Sequence, residues 1–127
     1  MNSVNSFCDI YLIRHGQTQW NVEGRLQGHT DIPLNEEGEK QALKLKEKLE
    51  GIKFSAFFSS DLSRANKTAE IVTGLQKMEI VKTPDLRERS MGKWEGRLRS
   101  ELDSWFAEHG ISTNNLSKEE YLSLIHI

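Results

Sequence analysis

An α/β domain with a mainly parallel sheet is what this sequence predicts, on three observations. Short apolar runs of β-prone residues alternate with longer segments of helical period. Capping residues stand before the helical segments, and glycines stand after them. The total of 127 residues suits a single domain, taken as 1–127, with room for a buried core.

Taken in order, the elements are as follows. Residues 1–6 are polar and read as frayed. From about 9 to 14, Ile10, Tyr11, Leu12 and Ile13 form a continuous apolar run, the pattern of a short strand buried on both faces. A loop rich in Gly, Gln and Asn leads to Pro33. Asn35 then caps a helix whose first turn carries Glu36 and Glu37, favourable at the positive end of the dipole. Ala42, Leu45 and Leu49 recur at helical spacing, Gly38 weakens the helix slightly, and Gly51 offers a stop. Residues 54–59 are the second strand. Ser60 or Asp61 caps the next helix, which has Leu62, Ala65, Ala69 and Val72 on one face and ends at Gly74. Residues 79–82 form a third strand, stopped by Thr83-Pro84. Residues 98–107 make a further helix, with Leu102, Trp105 and Phe106 apolar and Gly110 at its end. Ser117-Lys118-Glu119-Glu120 has capping-box form. The apolar run 122–127 reads as the interior of a strand or helix, which favours a truncated chain or a foreign tail over a natural terminus.

Composition excludes several classes of function. A net charge of −2 gives no general attraction for nucleic acid or an anionic membrane, so any phosphate binding needs a local arginine cluster. Cys8 is the single cysteine and reads as an inert small hydrophobe. No membrane span or secretory leader is evident, which makes the cytoplasm the default location. His15, His29, His109 and His126 lack zinc-ligand spacing, and no metal or other cofactor is expected.

Arg14-His15-Gly16 carries the chemistry. It ends the first expected strand, at the rim where parallel sheets bind ligands. Guanidinium matches phosphate oxygens with a planar fork of donors. A neutral imidazole can attack phosphorus, and a neighbouring cation favours the neutral form. Arg64, in the first turn after the second strand, is expected on the same rim.

Four ordered stretches then resemble the histidine phosphatase superfamily, which includes the cofactor-dependent phosphoglycerate mutases. They are Leu12-Ile13-Arg14-His15-Gly16-Gln17-Thr18-Gln19-Trp20-Asn21, Arg25-Leu26-Gln27-Gly28-His29-Thr30-Asp31-Ile32-Pro33-Leu34, Ser59-Ser60-Asp61-Leu62-Ser63-Arg64-Ala65 leading to Thr68-Ala69, and Leu86-Arg87-Glu88 leading to Gly92-Lys93-Trp94-Glu95-Gly96. The resemblance implies a three-layer sandwich with a doubly wound sheet, incomplete at its C-terminal side. It implies His15 as the nucleophile that becomes phosphohistidine, Arg14 and Arg64 as phosphate ligands, and Glu88 as proton donor. Gly16, Asn21, Gln27 and Gly28 resemble phosphate- and substrate-contacting residues. A second catalytic histidine followed by glycine is missing; His126 imitates its context but comes too soon after Glu88 and precedes Ile127.

Blander roles compete at several positions. Arg14 and His15 could be an ion-pairing strand end, and Arg64 an exposed helix residue near Asp61 and Asn66. Glu95 reads as a loop-packing residue and Glu88 as the acid. His29 reads as a solvated loop residue, His109 as a helix-end cation, and Trp20 and Trp94 as loop anchors. The activity expected is phosphomonoester hydrolysis on a small phosphorylated metabolite. Gln27-Gly28-His29 and Ser90-Met91 depart from the Thr-Gly-Trp and His-Tyr of the mutases. A mutase-like isomerase is the first alternative, and an inactive fragment or phospho-ligand binder the second. Oligomeric state and the identity of the substrate are not encoded legibly.

Overall fold

The computed structural model of the chain describes residues 6–74, 78–117 and 119–120. A short helix α1 (Gln19–Glu23) precedes α2 (Glu36–Lys48), then strand β1 (Phe57–Ser60), α3 (Ser63–Thr73), strand β2 (Ile80–Thr83) and α4 (Arg99–Glu108). Tight 3₁₀ turns occupy Pro84–Leu86, Gly92–Trp94 and Thr113–Asn115. β1 and β2 are parallel, with Phe57 opposite Ile80 and Ser60 opposite Thr83, and α3 makes the crossover. α2 packs on α3. The α/β class and the parallel pairing match the sequence expectation.

The expected first strand does not form. Residues 6–17 carry neither helix nor strand, and Ile10 and Leu12 are 87% and 96% exposed. An apolar run becomes a doubly buried strand only with a neighbour on its edge and layers on both faces. The described sheet is the β1–β2 pair alone, and Tyr11 meets the run's aromatic neighbour Phe54 edge-on at 5.1 Å.

Two other elements differ in how they start. α3 has no cap from Ser60 or Asp61 on its first turn; Leu62 stands at the N-cap and Asp31, from a distant loop, accepts the Ser63 N–H at 2.8 Å. α1 arises inside what reads as loop, because Thr18 and Asn21 form a reciprocal capping box and Gly24 closes the turn at φ 70°. Elsewhere the caps work as the sequence predicts. The Asn35 side chain accepts the Gly38 N–H at 2.8 Å, and Ser117 and Glu120 cap one another. The run 122–127, with His126, lies outside the described residues.

The core sits beneath the loop that follows α1. Leu26, Met91, Trp94, Leu102 and Phe106 are buried together, with Trp105 and Ile111 packed at the edge. Residues 24–26 lie antiparallel to 96–99, through Leu26 N–H to Arg97 O at 3.0 Å and Gly96 N–H to Leu26 O at 2.8 Å. Trp94 is a core residue, as expected, whereas Trp20 is half-buried against Gly96.

Candidate active site

His15 sits on the loop that leads into α1, a loop that meets α2 at Gly38 and Gln41 and α3 at Thr68. The backbones of Gly16 and Gly38 are in contact, so that a methyl group on either would strike main-chain atoms of the opposite segment. The Gly16 N–H donates to Thr68 Oγ1 at 3.1 Å, and that hydroxyl donates to the Arg64 carbonyl at 2.8 Å. Thr68 thereby fastens the His15 loop to the helix that carries Arg64. Gln17 is held by α2 from three sides: its N–H meets Gln41 Oε1 at 2.9 Å, and its carbonyl and side-chain oxygens accept Asn35 N–H groups at 3.0 Å each.

The His15 ring is half-buried, with Nδ1 2.6 Å from the Gly16 carbonyl oxygen. A carbonyl can only accept, so Nδ1 carries the hydrogen and Nε2 keeps its lone pair. Burial lowers the His15 pKa from its ordinary value, and the charges of Arg64 and Arg14 lower it further. The Gly16 contact and Glu88 oppose that shift, and the net effect is downward. Arg14, Arg64 and Glu88 are thus all within electrostatic reach of one imidazole.

The two arginines differ. Arg14 is exposed and makes no hydrogen bond or ion pair among the described residues, so its donors remain open to an anion. Arg64 is 2% exposed and does not pair with Asp61. Its guanidinium donates to the Gly28 carbonyl at 2.7 Å and to the Thr30 carbonyl at 2.8 Å, which aims the rest of the fork. Burial depresses its pKa, and Asp31, Glu88 and Glu95 counter that. Asp61 instead forms a two-pronged pair with Arg87, both contacts at 2.6 Å, joining the end of β1 to the segment before Glu88.

Glu88 and Glu95 have opposite surroundings. Glu88 is exposed and accepts the Arg89 N–H at 2.9 Å. Glu95 bridges two loops, accepting His29 N–H at 2.8 Å, Thr30 Oγ1 at 2.5 Å, Met91 N–H at 3.1 Å and Ser90 Oγ at 3.4 Å. Burial works to raise the Glu95 pKa, but the bonds from Thr30, His29, Met91 and Ser90 bring it below the usual value. Glu95 is therefore held as a carboxylate, unsuited to deliver a proton.

The remaining residues singled out by sequence have local duties. Asn21 Oδ1 accepts the Thr18 N–H at 2.9 Å, and Gln27 Oε1 accepts the fully buried Thr18 hydroxyl at 2.6 Å. Each keeps an amide NH₂ as a donor. Gly28 adopts φ 56°, and a side chain there would strike Glu95 and the Met91 backbone. His29 is exposed, and His109 caps α4 through Trp105 O at 2.8 Å while stacking on that ring. From the sequence, Thr18 and Thr68 stand within the motif stretches without a role of their own, and Gln41 does not stand out. Thr68 stands one turn after Arg64 on the same helix face, a spacing that flags a shared partner.

Two concavities among the described residues lie near the candidate site and the core, and His15 lines neither of them. One of about 840 Å³ opens beside Glu88, with Arg87, Arg89, Arg99 and Thr113 in its wall. The other, about 320 Å³, lies against Trp94, Arg97 and Trp105. Among the described residues no cluster of three His, Cys, Asp or Glu side chains is gathered for a metal ion. Among the described residues no helix is long and apolar enough to cross a membrane.

Comparison with known proteins identifies the family. A profile of the histidine phosphatase superfamily (branch 1) matches residues 10–121. A probable phosphoglycerate mutase of Cronobacter sakazakii is 40% identical over 100 residues, covering 76% of this chain and 46% of that protein. A putative alpha-ribazole-5'-P phosphatase from Escherichia coli superposes with a TM-score of 0.70 at 38% identity, over 76% of this chain and 47% of that one. A phosphoserine phosphatase from Entamoeba histolytica, solved with 3-phosphoglyceric acid, gives 0.64 at 37% identity, over 70% and 44%. The chain spans about half the length of these relatives.

Proposed function

The chain belongs to the histidine phosphatase superfamily, and from that premise we propose that it hydrolyses a small phosphomonoester through a phosphohistidine on His15. The observation that carries this reading is the His15 ring, tied at Nδ1 to the Gly16 carbonyl and under the combined field of Arg14, Arg64 and Glu88.

In the first step the Nε2 lone pair attacks phosphorus as the bond to the leaving oxygen breaks. Arg14 and Arg64 neutralise the equatorial oxygens, the main requirement of phosphoryl transfer. The Glu88 side chain is assigned the role of proton donor to the leaving alkoxide. The ring gains positive charge as the P–N bond forms, and the Gly16 carbonyl then accepts a stronger bond from Nδ1–H. In the second step water attacks phosphorus, Glu88 takes its proton, and the P–N electron pair returns to Nε2. The free amide groups of Asn21 and Gln27 are candidate contacts to substrate. Gly16 serves the turn and the Nδ1 bond, since its own N–H is engaged by Thr68. A cytoplasmic setting is carried from the sequence.

A mutase-like isomerase is the second reading, favoured by the names of curated relatives. It would need the phosphoenzyme to outlast water until a second hydroxyl arrives. Incubation with 3-phosphoglycerate separates the readings. Free phosphate that disappears in His15→Asn supports hydrolysis, and interconversion with 2-phosphoglycerate, primed by the bisphosphorylated acid, supports the isomerase. Binding with neither product supports a phospho-ligand binder and refutes the proposal.

A further inference from the structure

We infer that Gln41, in the second turn of α2, is a positioning residue that holds His15 as the tautomer with a bare Nε2. Its use in catalysis rests on the function proposed above; its effect on the ring does not.

The Gly16 carbonyl and the Gln17 N–H are the two ends of one planar peptide. His15 Nδ1 lies 2.6 Å from the oxygen, and Gln41 Oε1 lies 2.9 Å from the nitrogen. In a trans peptide these ends point in opposite directions, so a rotation that removes one bond removes both. Gripping the N–H therefore aims the carbonyl at the ring. It also polarises the peptide, since hydrogen bonds in a chain strengthen one another. With no such carbonyl the hydrogen is free to move to Nε2, and the ring then has no lone pair facing the substrate.

Asn35 and Gly38 also grip this peptide's surroundings, but Asn35 caps α2 and Gly38 is buried against Gln17, so changes there disturb the helix itself. Gln41 is exposed and sits inside a helix, where another good helix former is accommodated. Its contact is consequently separable from folding.

The test uses two variants of the whole chain. Gln41→Met removes the acceptor at similar size, and Gln41→Glu retains an oxygen there. Imidazole ¹⁵N shifts, recorded where the ring is neutral and assigned to His15 by their loss in His15→Gln, report the tautomer directly. The Nδ1–H form is expected for the wild type and for Gln41→Glu. In Gln41→Met the Nε2–H population should rise about three- to tenfold, the range set by one modest hydrogen bond. Labelling of His15 by phosphoramidate should slow in Gln41→Met in proportion to the Nδ1–H population lost in the ¹⁵N spectra, and stay within about twofold of the wild type in Gln41→Glu. Unchanged His15 shifts in Gln41→Met, or an equal change in Gln41→Glu, would overturn the inference. A tautomer change in a chain that takes up no phosphate would support the positioning role while counting against the proposed reaction.

Discussion

Glu95 offers the sharpest test of how the two site loops are tied. Its carboxylate accepts the backbone N–H groups of His29 and Met91 and the hydroxyls of Thr30 and Ser90. Glu95→Ala leaves all four donors to find water or go unmet. Three of these bonds are 3.1 Å or shorter. A hydrogen bond to a charged acceptor contributes about 1.5–3 kcal/mol when shielded, and about half that where water can substitute. The His29 bond is exposed and the other two are partly buried. Allowing for solvent and for non-additivity within one network gives a loss of about 2–3 kcal/mol. For a domain of this size that is a fall in Tm of roughly 6–12 °C. Glu95→Gln keeps one carbonyl oxygen and should lose about half as much. Urea unfolding followed by tryptophan fluorescence measures both. If Glu95→Ala shifts stability by less than about 0.5 kcal/mol, the carboxylate is not the tie between these loops.

Other consequences are independent of that network. The His15 titration midpoint, read from its ring proton shifts, should lie below about 6.5, and Arg14→Met should raise it. Because folding lowers this pKa, the unfolded chain binds more protons between the folded midpoint and about 6.5. The His15 contribution to stability is therefore fully present above that window and is lost as pH falls through it, which a pH series of unfolding curves can check. Gly38→Ala should cost about 1–3 kcal/mol despite alanine's better helix propensity, since the methyl meets Gln17 main-chain atoms; an unchanged or higher Tm would contradict the contact. Leu102→Ala, at a fully buried position, should cost about 2–5 kcal/mol in the same assay.

Local signals carried much of the fold. Asn35 before Glu36-Glu37 marked α2, the run before Ser60 and the run before Pro84 marked β1 and β2, and Ser117 with Glu120 formed the expected box. These features act over three or four residues, so a single sequence displays them. What it did not display are the long-range ties. Asp31 caps α3 from a loop 32 residues away, and Glu95 reaches His29 across 66. No local rule pairs such residues. The run at Ile10 to Ile13 shows the converse, since its composition states that it can be buried but not what must cover it. At the candidate site, residue types drew attention to His15, Arg14, Arg64 and Glu88, whereas the residues that contact the His15 loop did not stand out. Thr68, Gln41 and Gly38 are ordinary helix positions until their backbone partners are known.

The central claim is that the imidazole at position 15 attacks through Nε2, because Nδ1 is occupied by its own loop. Phosphorylating the intact chain with phosphoramidate and identifying the isomer by ³¹P–¹H correlation tests this. Phosphate on Nε2 of His15, absent in His15→Asn, is the expected result. Phosphate on Nδ1, or label that persists in His15→Asn, would contradict it.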